Sequence, residues 1–573
     1  MTNTESDTAC AIRLSMELYL KNKRKEAFKT LVGESGEETR ILNPDSRDAQ
    51  SIRVSVKAMI ELIEGLLSGS AETIMRCLED FWVAERLANE SDDKEWIGNR
   101  ISRGLSYLFG GLVQLFIGSY VKAGVNLTIG YKLVRAFERD VLVYNDENDS
   151  DLIRSLGLLV LALLNFFAIM LPPSVVTMGE MLGFGPSRAK FNEYISLCSD
   201  EKGIFSYIAK LIEVYSVINS KNFMFAKISN EEISRCRMLM DECLVDAPES
   251  IVVRVMNASV FLGEGRREEA IETLRSPEII EVIGTSEWST MSLAVSYKLG
   301  VAYLCAFEFD KASEAFSKAA DSIDASNRWH YVPFMRCLEG LSLLASAAQD
   351  PERFPDMAKL QDRVIKIFDH CFIERNLSNT VVLPGDYWGA RVGLESSNFL
   401  MACDDERFSD WIRTRAPITD ILFAILTCLY QFDKVSLNDL RSFIKSTKST
   451  NGSARLEVVR GEYYRRIERF TDSVAAFDEA LVLTDAQVGS GKADKDSITA
   501  FSLVFQGAAL CLAGEKETAR EVLSDLDQER ARSKSLWSPL APKVSNLVKT
   551  EGGEFDLILS FRRNGLKRLI DES

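Results

Sequence analysis

Two small residues twelve apart leave a chain few ways to fold when an aromatic follows the first by three and apolar residues follow it by sixteen and nineteen. In Trp288–Ser326 the series is Leu299, Gly300, Tyr303, Ala312, Phe316 and Ala319, at offsets of 3, 12, 16 and 19 from Gly300. Residues three and four apart share one face of a helix. The series therefore sets Gly300 and Tyr303 on one helix and Ala312, Phe316 and Ala319 on the next. Gly300 and Ala312 are small where the two helices of a hairpin cross closely. Tyr303, Phe316 and Ala319 fill the groove against the following hairpin, and Glu308-Phe-Asp-Lys311 supplies the tight polar turn.

The pattern recurs. Ala258 and Phe261 precede Ala270 and Leu274, with Gly263-Glu-Gly265-Arg at the turn; Gly461 and Tyr464 precede Ser473, Phe477 and Ala480; Gly507 and Leu510 precede Ala519, Leu523 and Leu526, with Gly514 at the turn. Weaker instances are Ser15/Ala27 and Gly111/Ala123. An arbitrary amphipathic pair would match one or two such positions, whereas four good copies in one phase indicate a repeat. This is the tetratricopeptide pattern. The copies are not strictly tandem: Gly461 and Gly507 are 46 residues apart, against a bare repeat of about 34. The polar stretch Val488–Ser497 accounts for part of the excess. Convincing alternating strands are scarce, so the expected fold is all-α: an α-solenoid of tetratricopeptide-like hairpins with degenerate N-terminal repeats. Such solenoids bind partners on a concave face.

Composition narrows the partners. The chain has 573 residues, 46% hydrophobic, and a net charge of −16, which argues against nucleic acid, since phosphate neutralisation needs clustered Lys and Arg. Lys21–Lys25 and Arg562, Arg563, Lys567 and Arg568 read as solvated helix faces. Eleven cysteines are scattered with no Cys-x-x-Cys, and there are two histidines, His330 and His370. No metal site is expected from such spacing, and the cysteines read as reduced core residues of a cytoplasmic protein. The polar start, Met1-Thr-Asn-Thr-Glu-Ser-Asp, lacks the layout of a signal peptide. Thr2 stands where myristoylation requires glycine.

From Ser155 to Gly179 there is no charge, and the apolar core Leu156–Leu171, sixteen residues, ends at Pro172-Pro173. A bilayer span takes about 20 residues, so the run reads first as a helix buried all round. Insertion into a membrane or lipid surface and a partner-binding groove are the alternatives.

Catalytic signals dissolve on inspection. Gly489-Ser-Gly491-Lys492 lacks the phosphate-loop glycine and hydroxyl, because Ala486 and Ala493 occupy those places. Gly183-Phe-Gly185 lacks a third glycine. His370 and Cys371 are adjacent, so on a helix they point apart; Cys337 lies seven residues from His330. No catalytic, cofactor-binding or metal-ligating residue is expected. Asn379–Trp388 breaks the helical pattern at Pro384-Gly385 and reads as a loop, with Tyr387 and Trp388 as possible partner contacts, residue types enriched at interfaces.

Three stretches resemble the tetratricopeptide repeat protein 39 family and its fungal inclusion-body-clearance relatives: the Leu-rich run ending Leu171-Pro-Pro173 with Gly183-Phe-Gly185-Pro-Ser-Arg188; Phe81-Trp-Val-Ala-Glu85 with Gly110-Gly-Leu-Val-Gln-Leu-Phe116; and the order of degenerate hairpins, apolar helix and clearer repeats. The family favours Asp where Ser187 stands. The resemblance implies a cytosolic adaptor without catalytic residues, linked to protein quality control, lipid droplets and lipid homeostasis; it carries over no site residues. The expected organisation is a degenerate hairpin region (1–150), an apolar Leu-Pro-Pro hairpin (151–200), central repeats (201–350), an irregular helical insertion (351–440), and C-terminal repeats with a capping helix at Phe561–Leu569 (441–573). The expected function is a protein-interaction adaptor that takes a client peptide or helix in its concave groove, with no cofactor. The alternative is a lipid-droplet or membrane-associated factor inserting residues 156–171.

Overall fold

A computed structural model describes residues 7–32, 47–68, 71–91, 96–116, 120–144, 150–170, 187–220 except 202, 228–322 except 286, 289 and 290, 332–377, 384–447 except 430, 453–486, 492–532, and residues 563, 566, 567, 569 and 570. The described residues are helical throughout, with no strand among them. The helices run α1 Asp7–Leu20, α2 Arg24–Val32, α3 Arg47–Ser68, α4 Ala71–Glu90, α5 Ile97–Phe116, α6 Tyr120–Val143, α7 Ser150–Met170, α8 Arg188–Asp200, α9 Ser206–Tyr215, α10 Asn230–Asp246, α11 Ile251–Gly263, α12 Arg267–Leu274 and α13 Pro277–Ile283. They continue as α14 Met291–Cys305, α15 Phe309–Asp321, α16 Val332–Gln349, α17 Met357–Leu377, α18 Pro384–Met401, α19 Asp405–Arg413, α20 Ala416–Ala424, α21 Leu437–Ser446, α22 Ala454–Arg466, α23 Phe470–Ala486, α24 Lys492–Leu512 and α25 Lys516–Arg532. The fold is an α-solenoid built mainly from antiparallel hairpins.

Five hairpins share one turn. The residue seven past the small position of the first helix adopts a left-handed backbone in each: Asn22 (φ 60°), Gly265 (78°), Phe307 (59°), Glu468 (60°) and Gly514 (88°). These follow Ser15, Ala258, Gly300, Gly461 and Gly507 respectively. In every case the left-handed residue donates its N–H three residues back, at 3.0–3.1 Å. The next residue donates five back, at 2.8–2.9 Å, as in Glu308 N to Tyr303 O and Arg469 N to Tyr464 O. This is the Schellman arrangement, which satisfies the carbonyls a helix end would leave orphaned. The residue after the turn then accepts from the second small residue, Ala27, Ala270, Ala312, Ser473 or Ala519, at 2.9–3.2 Å. The spacing of twelve thus measures one helix end, one left-handed turn and one helix start. Apolar contact usually reinforces such turns; here Arg266 stacks 4.4 Å over Phe261 and Arg469 5.1 Å over Tyr464.

Small residues admit the partner helix. A methyl at Gly300 would lie 2.7–2.9 Å from the Phe316 ring, and one at Gly461 2.6–2.9 Å from the Phe477 ring. Where serine takes a small place its hydroxyl spans the crossing: Ser15 Oγ donates to Ala27 O at 2.9 Å and Ser473 Oγ to Gly461 O at 2.8 Å. Gly111 faces Leu127, sixteen on, at 2.8 Å, and Gly130 sits against the Leu108 backbone, so α5 and α6 approach closely too. At Gly507 the nearest neighbour is Leu566 of the C-terminal segment, at 2.7 Å, and Leu523 is partly buried against the same core. Arg563 bonds Asp527 at 2.5 Å and Leu566 is fully buried, so the described part of that segment covers the last hairpin.

The chain also returns on itself, unlike an elongated array whose repeats touch only their neighbours. Asn22 donates its amide to Glu249 O at 2.6 Å and accepts from Ile251 N at 3.0 Å, while its own carbonyl accepts from Trp288 Nε1 at 2.7 Å. Further on, Ser436 N bonds Cys305 O at 3.0 Å. The uncharged helix α7 lies inside: Leu156 and Leu158–Leu164 are at most 5% exposed. Asn165 donates to Leu161 O at 2.9 Å and accepts from Ser187 N at 3.1 Å, holding the start of α8, which Ser187 caps. No helix among the described residues is long and apolar enough to cross a membrane.

Two measurements probe this geometry. Gly300→Ala is expected to lower stability by about 1–3 kcal/mol through overpacking, with partial recovery on adding Phe316→Leu, read from denaturant midpoints. Nothing lies within 4 Å of a methyl at Gly514, so Gly514→Ala should cost only the left-handed strain, about 1–2 kcal/mol, and Glu468→Gly should relieve a similar amount.

Candidate functional site

The hairpin α16/α17 has no counterpart in the regular spacing, because its second helix begins only after the turn Pro351–Arg353. Its crossing is nevertheless the same. A methyl at Gly340 would lie 2.5–3.1 Å from the Phe368 ring; the offset is 28 residues instead of sixteen. Asp356 starts α17 by accepting from Lys359 N at 2.9 Å. Leu360, Val364, Ile367, Phe368 and Cys371 form the buried stripe. That phase leaves Lys359, Arg363, Lys366 and His370, spaced 4, 3 and 4, together on one exposed line.

These four side chains line a cleft of about 480 Å³ with Arg336, Ile367 and the single acid Asp362. Arg336 reaches in from α16, and its charge is engaged: it bonds Glu339 at 2.8 Å and Asp321 at 2.5 Å. Neither Lys359, Arg363, Lys366 nor His370 forms a side-chain ion pair among the described residues. A chain with net charge −16 therefore gathers basic side chains, unpaired among the described residues, in one concave place. Such a cleft raises the local concentration of anionic groups and fixes them by charge-assisted hydrogen bonds.

Gly300, Ala312, Phe316, Ala319, Ala258, Ala270, Phe477, Ala480 and Ala519 are buried, as are Gly461, Gly507 and Tyr303; Leu299 and Tyr464 are partly covered. Tyr387 and Trp388 are not on a loop: Pro384 opens α18, and both lie in its first turns. Proline suits that place because its missing N–H is unneeded there. Their side chains lie outside the described residues, as do His330 and the Gly183-Phe-Gly185 turn. Helix α24 starts at Lys492, the lysine of Gly489-Ser-Gly491-Lys492. His370 faces the cleft while Cys371 is buried with its thiol 3.4 Å from Pro333 O, so the two diverge.

Nine of ten described cysteines are buried, none is in a disulfide, and Cys10 is exposed. Burial pushes the Cys198 and Cys243 thiols up to about 12, which suppresses the thiolate needed for nucleophilic or metal chemistry. Among the described residues no three His, Cys, Asp or Glu side chains gather as a metal site would require. The cleft was not legible from composition, since the basic residues are diluted by acids in sequence. The signal was the 4-3-4 spacing in Lys359–His370.

No family model matches the chain, and no curated protein does. Solved structures with a similar course include a human IFIT1 dimer with m7Gppp-AAAA, 11% identical with a TM-score of 0.30, covering 90% of this chain and 95% of that one. Another is the APC/C hetero-tetramer Cut9–Hcn1, 13% identical with a TM-score of 0.24, covering 92% and 100%.

Proposed function

We propose that this chain is a non-enzymatic adaptor that holds an acidic segment of another protein in the cleft beside α16 and α17. The observation that carries the reading is the line of four basic side chains around one cavity in an acidic solenoid, with no ion pair among the described residues. Long flexible lysines and a forked arginine 4-3-4 along a helix match carboxylates presented at intervals by a peptide. Solenoids serve such docking because their rigid wall costs little ordering on binding. The narrower role implied by the family resemblance, inclusion-body clearance and lipid-droplet work, has the resemblance as its sole support. Insertion of α7 is disfavoured by the burial of its described side chains through Phe166.

Fluorescence polarisation with a Glu/Asp-rich peptide tests the proposal. Binding is expected to weaken as salt rises and to fall at least tenfold in Lys359→Glu/Arg363→Glu/Lys366→Glu. The exposed Lys445→Glu change, on α21, should leave it intact. Equal affinity in the triple variant, or none in the wild type, would reject the cleft as the docking site.

A further inference from the structure

The last regular hairpin is completed by a side chain from elsewhere in the chain. Gly300 and Gly461 each receive the phenylalanine sixteen residues on, from the second helix of their own hairpin. At Gly507 on α24 the equivalent residue is Leu523, half-buried, and the space a methyl would take is filled from outside the hairpin by Leu566, at 2.7 Å. In the segment 563–570 the described residues Arg563, Leu566, Lys567, Leu569 and Ile570 are helical. Leu566 and Ile570 are buried and Leu569 is partly buried against the same core, whereas Lys567 is exposed. Offsets of three and four put the three apolar residues on one helix face. Arg563 donates from Nε and Nη2 to the two carboxylate oxygens of Asp527 on α25, at 2.5 Å each, and the Cys511 thiol lies 3.5 Å from Leu569 O.

A short amphipathic helix lies in a groove in this way, with apolar anchors at i, i+3 and i+4 and a charged pair at the rim. So short a helix is marginal alone, and three apolar side chains must offset the ordering of the whole segment. The margin that holds it is therefore small, and a helix of the same pattern supplied from elsewhere would make identical contacts. The charges match as well: Arg562, Arg563, Lys567 and Arg568 make the segment basic in a chain of net charge −16, and Asp527 meets Arg563 at the contact. We propose that the notch at Gly507 is a docking site for a basic amphipathic helix of a partner protein, and that the chain's own segment 563–570 holds the notch in competition with it. The pattern it reads is Arg, then Leu, Leu and Ile three, six and seven residues on.

Occupancy by the same chain sets the terms of the competition. A segment tethered to its site acts at a high effective concentration, so a partner helix enters where it binds more tightly or where the Arg563–Asp527 pair is broken. A permanent end cap of the solenoid would keep the same contacts but leave only on unfolding. The two differ in how Cys511, 4% exposed against Leu569, becomes reachable. The notch is built from α24 and α25 and shares no residue with the cleft beside α16 and α17. Either proposal can fail without the other.

Two measurements on the full chain decide the matter. In native buffer Cys511 is expected to react with iodoacetamide about tenfold or more faster than Cys337, buried on α16, because lifting the segment uncovers it without global unfolding. A saturating synthetic peptide of sequence 559–573 should slow that reaction by filling the notch. Fluorescence polarisation with the same peptide should show binding about tenfold or more tighter to Leu566→Asp/Ile570→Asp, whose own segment no longer docks, than to the wild type. Adding Asp527→Arg to that chain should weaken binding severalfold, and a peptide carrying Arg563→Glu should recover it. Cys511 reacting no faster than Cys337, equal affinity of the wild type and the double variant, or affinity unmoved by Asp527→Arg would each overturn the docking site. A wild-type dimer in sedimentation equilibrium that Leu566→Asp dissolves would overturn the partner helix and assign the notch to a second copy of this chain.

Discussion

One left-handed residue in each of the five regular hairpins governs this architecture. A helix that stops abruptly leaves its last carbonyls without partners, and burying them is expensive. In the five regular hairpins a residue seven past the small position turns left-handed, and two backbone hydrogen bonds close over the helix end. In each the next helix starts two residues later, so the length of the connection is constant. Small residues twelve apart then meet at the crossing, and an aromatic sixteen on can lie over the glycine. The regular hairpins follow from this short, rigid connection.

The turn also shows why some hairpins could be read from residues and others could not. Gly300 with Phe316 and Gly461 with Phe477 keep the turn length constant, so their spacing is visible in the chain. Gly340 with Phe368 makes the same contact across a connection twelve residues longer, and a fixed offset cannot find it. The left-handed residue itself is visible where it is Gly265 or Gly514. It is hidden at Phe307 and Glu468, where the closed turn imposes a conformation those side chains disfavour. Pro384-Gly385 misled in the other direction, since proline is as much at home in a first helical turn as in a loop. The return contacts were beyond any local pattern. Asn22 and Trp288 are 266 residues apart, and nothing short of the assembled curve brings them together.

Electrostatics divides the molecule in a way its net charge conceals. Many of the described arginines hold neighbouring helices, as in Arg24 with Glu64 and Arg237 with Glu264. Pairs of this kind contribute little when exposed and mainly fix geometry when covered. Against that background the exposed basic line Lys359–His370, which forms no ion pair among the described residues, stands out. That line has room for an extended acidic segment.

Hydrogen exchange at the five turns tests the governing geometry most directly. The amides of Lys23, Arg266, Glu308, Arg469 and Glu515 lie just outside helices, yet each donates to a carbonyl five residues back. All five are expected to be protected to the level of the helices they join. Exchange at the rate of an unstructured peptide, in even the two glycine-containing turns, would contradict it.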